Sequence, residues 1–139
     1  MKLFLDASVV LAACGRPAGA SRGVFDFAAA NGWRLLTSGY VLAEVRRNLP
    51  KLKPGALSDW ARLSIQLTCT RDVWTLDRPV VFAAAKDRPV LFTAAAWSRT
   101  LLTLDRNDFG PVMASGFYHL AVLTPGDFLE HERAAGRVK

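Results

Sequence analysis

The chain has 139 residues and a mass of 15.2 kDa; 51% of its residues are hydrophobic, and 18 Lys and Arg against 12 Asp and Glu give a formal net charge of +6. A chain this long buries roughly 68% of its unfolded surface, enough for a core without staples, and no stretch approaches the ~18 uninterrupted apolar residues of a spanning helix, so no membrane partner is expected. The basic excess, with a sequence pI near 9.9, favours a polyanionic partner, although surplus arginine also keeps a small protein soluble. Cys14 and Cys69 make no metal-type spacing. The opening Met1–Asp6 is too short and too weakly charged for a signal peptide, so reduced thiols and a cytoplasmic location are expected.

Short apolar runs alternate with helical stretches, without a repeat, a low-complexity tract or a linker long enough to split the chain, so residues 1–139 read as one α/β domain. Lys2 to Asp6 predicts a strand apolar on both faces, as in the middle of a covered parallel sheet. Ser8 to Cys14 predicts a short helix, and Gly15 to Gly19 a loop. A second helix is expected from Ser21 to Ala30, capped by Ser21 and ended by Asn31-Gly32, and Trp33 to Thr37 is expected as the second strand. Ser38 is placed to cap the next helix, in which Val41, Leu42, Val45 and Leu49 form an apolar stripe before Pro50, with Glu44 on its margin. Lys51 to Gly55 reads as a basic loop and Leu57 to Thr68 as a helix. Val73 to Leu76 reads as a short strand and Pro79 to Ala85 as one or two helical turns. Lys86-Asp87-Arg88-Pro89 introduces a helix through Trp97, with proline in its first turn. Thr100 to Leu104 is the fourth expected strand and Asp105 to Gly110 a polar turn. His119 to Thr124 is the fifth strand, and Gly126 to Ala135 the closing helix.

Asp6, Glu44, Asp87 and Asp105 each stand where an apolar segment stops or a helix face turns polar. If the runs are parallel strands, side chains leaving their carboxyl ends converge on the crevice where open α/β sheets bind ligands. Each acid also has an ordinary explanation. Asp87 fits a helix cap, Asp105 and Asp108 fit turn residues, and Glu44 fits a solvated helix acid paired with Asn48 or Arg47. Asp6 fits least well, since a charge appended to Leu3-Phe4-Leu5 costs several kcal/mol unless it is paired. Two unit charges ~6 Å apart at an effective dielectric near 20 repel by roughly 3 kcal/mol, and four acids make six pairs. Even after discounting for solvent, that is comparable with a domain's stability of roughly 5–15 kcal/mol. Such a pocket calls for protonation or for cations, and oxygen ligands without a His or Cys cluster point to Mg2+ or Mn2+.

The chain resembles the PIN-domain nucleases, and within them the VapC-like toxins of toxin–antitoxin pairs. The resemblance is carried by Lys2-Leu3-Phe4-Leu5-Asp6-Ala7-Ser8, by Leu42-Ala43-Glu44-Val45, by Lys86-Asp87-Arg88-Pro89-Val90-Leu91, by Leu102-Thr103-Leu104-Asp105-Arg106-Asn107-Asp108-Phe109, and by Ala121 to Leu129. It implies a three-layer α/β/α sandwich around a mainly parallel sheet of about five strands, with Asp6, Glu44, Asp87 and Asp105 holding the metal. Ser8 and Thr103 would orient ligands or waters, and Asp108 would share or replace the role of Asp105. The implied activity is hydrolysis of RNA phosphodiesters by metal-activated water, with one or two Mg2+ and no side-chain nucleophile. The implied partners are RNA, a cognate antitoxin and a second copy in a homodimer. Arg46, Arg88 and Arg106 are candidates for gripping the RNA backbone, whereas His119 and His131 are poorly placed for chemistry.

Two other enzyme classes fit less well. A dehalogenase-like phosphatase wants a second aspartate two residues after the first, where this chain has Ser8, and a phospho-receiver domain wants an acidic pair that Lys2 to Leu5 lack. The remaining alternative is a catalytically silent PIN-like module that binds RNA or protein; its mark would be a missing acid, and here the set is intact.

Overall fold

The computed structural model of the chain describes residues 1–138. Leu3, Phe4 and Leu5 of strand β1 (Lys2–Leu5) are fully buried, which is possible only when layers cover both faces of the strand. β1 is flanked by β2 (Arg34–Ser38) and β4 (Thr100–Leu102), with β3 (Leu67–Thr70) beyond β2 and β5 (Ala121–Leu123) beyond β4. The order is β3-β2-β1-β4-β5 and every pairing is parallel, with Phe4 opposite Leu36 on one side and Leu101 on the other.

Parallel neighbours need crossovers, and helices supply them. Helices α1 (Ala7–Gly15) and α2 (Ala20–Asn31) join β1 to β2, and α3 (Gly39–Asn48) and α4 (Gly55–Leu63) join β2 to β3. The chain then returns across the sheet through α5 (Arg88–Trp97) to β4, and through α6 (Arg106–Ser115) to β5, before closing with α7 (Pro125–Ala134). Crossovers in the two directions, if right-handed, put α1 to α4 on one face and α5 and α6 on the other, giving three layers. Consistent with this, α1 packs against α2, α3 and α4, while α5 packs on β1 and β4. The reversal of direction falls between β1 and β4, and this is the crevice that matters below.

Local signals are kept at most boundaries. Ser38 caps α3 by accepting from the Val41 amide at 3.5 Å, and Gly32, at φ 67, ends α2 in the left-handed conformation that favours glycine. Five expectations need correcting, the first being the helix over Leu57 to Thr68: α4 spans Gly55–Leu63, and Leu67 and Thr68 belong to β3. Gly19 precedes α2 without a side-chain cap and Ser21 is buried instead, so the helix starts one residue early. The third strand is Leu67–Thr70, not Val73 to Leu76; that segment is irregular, and the Val73 amide donates to Thr93 Oγ1 on α5 at 2.8 Å. Pro79 to Ala84 is likewise irregular around a buried Phe82, with a single 3-10 turn at Ala85–Asp87. The polar turn expected at Asp105 to Gly110 is the start of α6, which runs on to Ser115 with Pro111 inside it.

α6 is pinned by Phe109, fully buried with its ring centroid 5.4 Å from that of Phe82. Phe109→Ala is expected to cost about 3–5 kcal/mol in denaturant unfolding. It also loosens the turn that holds Asp105 and Asp108, so divalent-cation binding should weaken in the same variant.

Candidate metal centre

Asp6 leaves the carboxyl end of β1 and is only 5% exposed. Its carboxylate is held on three sides. Oδ1 accepts from the Ala7 amide at 2.8 Å, and Oδ2 accepts from the Ser8 hydroxyl at 3.0 Å and the Thr103 hydroxyl at 2.7 Å. Burial pushes the Asp6 carboxyl above its ordinary range; these hydrogen bonds oppose the shift, and the charge of Glu44 adds to it.

Thr103 follows β4 and ties the two halves of the crevice together. Its hydroxyl oxygen accepts from the Asp105 amide at 3.1 Å while its proton goes to Asp6, and the Ser8 oxygen likewise accepts from the Leu104 amide at 3.0 Å. Ser8 and Thr103 therefore fix the Asp6 carboxylate and the backbone that leads into Asp105. Asp105 is itself fixed as the cap of α6, since Oδ1 accepts from the amides of Asn107 and Asp108 at 3.1 and 3.0 Å. Its ordinary role as a capping residue is thus real, yet it occupies only one of the two carboxylate oxygens in these bonds.

Asp87 departs from its ordinary explanation. It stands at the start of α5 but makes no capping hydrogen bond, and the carboxyl turns toward Asp108 instead. The residue is buried, its Oδ2 has no hydrogen-bond partner among the described residues, and its pKa is pushed up to about 7. Burial is the main cause, followed by the contact with Asp108 and the charges of Asp6 and Asp108. Asp108 moves the other way, held below the usual carboxylate range chiefly by the proton it shares with Asp87. One carboxylate oxygen from each of Asp87, Asp105 and Asp108 lies within 4.8 Å of the other two.

Glu44 is half-buried on α3, a helix that meets α5. Its charge is felt by both Asp6 and Tyr40, which sets it at the margin of the cluster. The pairing expected with Asn48 involves the Glu44 backbone carbonyl, to which Asn48 Nδ2 donates at 2.8 Å, and the cluster of Asp87, Asp105 and Asp108 does not include Glu44. Arg46 and Arg106 are exposed, and Arg106 reaches Asp127 at 4.0 Å. Arg88 donates through Nε and Nη2 to the Phe82 carbonyl at 3.2 and 2.9 Å, so its guanidinium is partly engaged within the chain.

Sequence reasoning missed Lys86 and Tyr40. Lys86 Nζ stands 3.6 Å from Asp108 Oδ2, and the Tyr40 hydroxyl donates to the Lys86 carbonyl, tying the start of α3 to the turn that carries Asp87. The available signals were weak: Lys86 adjoins Asp87, and Tyr40 precedes Glu44 by four residues on one helix face.

The donor set is oxygen only, crowded, and includes an orphaned buried carboxylate atom. Those properties fit a small hard divalent cation, Mg2+ or Mn2+, better than zinc.

No family model matches the sequence, and no curated protein matches it. Among solved structures, the chain is similar to one in the crystal structure of VapBC2 from Rickettsia felis bound to a DNA fragment from their promoter. The identity is 16% and the TM-score 0.61, over 88% of this chain and 97% of that one. A second match, to Mycobacterium tuberculosis VapC20, described as a Sarcin-Ricin loop cleaving toxin, has 21% identity over 85% and 98% of the two chains, with a TM-score of 0.46. Together with the five-stranded parallel sheet and its reversal between β1 and β4, the likeness to the Rickettsia felis chain establishes that this protein has the VapC-like, PIN-type α/β fold.

Proposed function

We propose that this protein is a divalent-metal-dependent endoribonuclease and the toxin of a toxin–antitoxin pair. The observation that carries the proposal is Asp87 Oδ2, buried without a partner among the described residues and held beside Asp105 and Asp108 at the sheet's switch point. A protein has little reason to keep such a costly group there unless a cation completes it.

Asp87, Asp105 and Asp108 would hold the cation, with Asp6 and Glu44 completing the acidic rim. When bound, Mg2+ supplies a water of lowered pKa and neutralises phosphate oxygens. Ser8 and Thr103 keep Asp6 in one orientation, and the first amides of α6 keep Asp105 in another, so the ligands are arranged before substrate arrives. With its pKa pushed up to about 7, Asp87 is partly protonated near neutral pH, and a bound cation would favour its ionised form. Arg46 is exposed and would meet phosphates, and Arg106, exposed beside Asp127, would do so by giving up that contact. Neither histidine is needed: His119 Nε2 is hydrogen-bonded to the Ala95 carbonyl at 2.8 Å, and His131 lies on α7.

The fold shared with a VapBC2 chain supports a cognate antitoxin as partner, and self-association and a cytoplasmic site of action belong to the same proposal. No helix among the described residues is long and apolar enough to cross a membrane. An open groove of about 420 Å³ runs from Asp108 past Asn107 and Pro111 to Val81, which is 94% exposed; an antitoxin segment laid there would cover both the acids and this apolar surface.

The test is incubation of purified protein with a mixed RNA pool in Mg2+ or Mn2+, alongside EDTA and the Asp105→Asn variant, which keeps the helix cap but removes the charge. Cleavage that needs the metal and is lost in the variant supports the proposal. RNA binding without cleavage under any condition would instead favour the silent module.

A further inference from the structure

The acids occupy one edge of the sheet; the opposite edge carries a different surface. There, at the amino ends of β1 and β4, a cleft of about 520 Å³ is lined by Lys2, Trp97, Arg99 and His119 among others. It adjoins a smaller cleft of about 160 Å³ that shares Ala95, Ala96 and His119 and adds Arg78 and Tyr118. Together their linings bring Lys2, Arg99 and Arg78 near Trp97 and Tyr118, with Asp77 as the one acid.

Three features give the groove a chemistry. The first is charge: Lys2 and Arg99 have no acidic partner within 4.0 Å among the described residues, and Arg78 has only Asp77, itself 97% exposed, at 4.0 Å. The second is aromatic surface: Trp97 and Tyr118 are 42% and 51% exposed. The third is orientation. Trp97 Nε1 donates to the Arg71 carbonyl at 2.9 Å, the Tyr118 hydroxyl donates to the Pro79 carbonyl, and the Arg78 guanidinium lies 5.1 Å from the centre of the Tyr118 ring. The polar ends of both rings are thus engaged within the protein, so a ligand meets mainly their faces. Fixed ring faces beside cations of which Lys2 and Arg99 are unpaired match a flexible polyanion that carries flat bases. A second copy of this chain would bring like charge to like charge, and an acidic peptide would leave the rings with nothing flat to stack on.

We propose that this groove is an accessory binding site for single-stranded RNA, remote from the acidic crevice, which holds a flanking part of the substrate. The inference deepens the nuclease proposal and rests on it for the choice of RNA over other polyanions.

The test is fluorescence anisotropy of a labelled 12-nucleotide single-stranded RNA with the full chain in EDTA, where cleavage is suppressed, for the wild type and for Arg99→Glu and Trp97→Ala. Arg99 is exposed, so its variant should fold, and circular dichroism checks both. Trp97→Ala is expected to weaken binding about tenfold. Arg99→Glu should also weaken binding and lower the slope of log affinity against log salt by about one. Ultraviolet cross-linking should join the RNA to the peptide containing Trp97. Affinity and salt slope unchanged in both variants, or cross-links confined to the acidic edge, would overturn the inference even if the wild type cleaves RNA in Mg2+. Binding that depends on Trp97 and Arg99 in a protein that cleaves no RNA would sink the nuclease proposal and leave the groove standing.

Discussion

Replacing Asp6 by Asn is expected to lower RNA cleavage in Mg2+ by roughly 10²–10³-fold, the usual cost of removing one group aimed at developing charge, while leaving the melting temperature in EDTA unchanged or higher. The two readouts separate because the carboxylate serves function at some cost to the fold. Burial raises its pKa, so the ionised form is disfavoured in the folded protein relative to the unfolded chain. Asn keeps an oxygen for the Ala7 amide, and the Ser8 and Thr103 hydroxyls can rotate to accept from its amide nitrogen. A large fall in melting temperature would mean that Asp6 is mainly a structural cap for α1. Unchanged cleavage would remove it from the metal site.

Asp87 gives the second large effect, a dependence of stability on pH. Its carboxyl is pushed from 3.8 to about 7, so the folded protein holds this proton more tightly than the unfolded chain does. The resulting stabilisation is complete below the unfolded value and is lost as pH rises through about 7. Asp6, also raised, acts in the same direction. Asp108, lowered, contributes stability that is present above its unfolded value and lost on acidification, in a window too acidic to cancel the slope. A shift of about three pKa units corresponds to about 4 kcal/mol. Solvent and the Lys86 ammonium at the rim reduce the expected share to about 1–2 kcal/mol. In EDTA the melting temperature should therefore fall between about pH 5 and pH 8. Asp87→Asn should flatten that slope and raise the melting temperature at the alkaline end, and Mn2+ should restore wild-type stability there by favouring the ionised carboxyls. A slope indifferent to both the substitution and the ion would place the titrating group elsewhere.

The centre of the molecule was legible in the sequence because local and tertiary demands agree there. Leu3-Phe4-Leu5 is apolar throughout, as a strand covered on both faces must be, and Asp6 at its end both caps α1 and stands at the crevice. Ser38 and Gly32 mark helix ends by their own chemistry. The periphery was less legible. β3 lies at the sheet's edge with Thr68 and Cys69 exposed, so it lacks the apolar pattern that betrays a strand. Val73 to Leu76, rich in β-favouring residues, crosses α5 without pairing. Gly110 and Pro111 hid α6, because neither favours a helix interior; the helix persists around buried Phe109 and Val112. For the candidate site, sequence placement pointed to Asp6, Glu44, Asp87 and Asp105, with Asp108 sharing or replacing Asp105; of these the fold gathers Asp87, Asp105 and Asp108 into one cluster. The Lys86–Asp108 approach and the Tyr40 link depend on how α3 and the turn before α5 meet, and spacing along the chain does not encode that.

The central claim is that separate stretches of the chain surround one cation. It is tested most directly by anomalous diffraction at the manganese edge from crystals grown with Mn2+. Density is expected among the carboxylates of Asp87, Asp105 and Asp108, on the side facing Asp6, and it should disappear in Asp87→Asn. A saturating concentration of Mn2+ that leaves this crevice without anomalous signal would contradict the account.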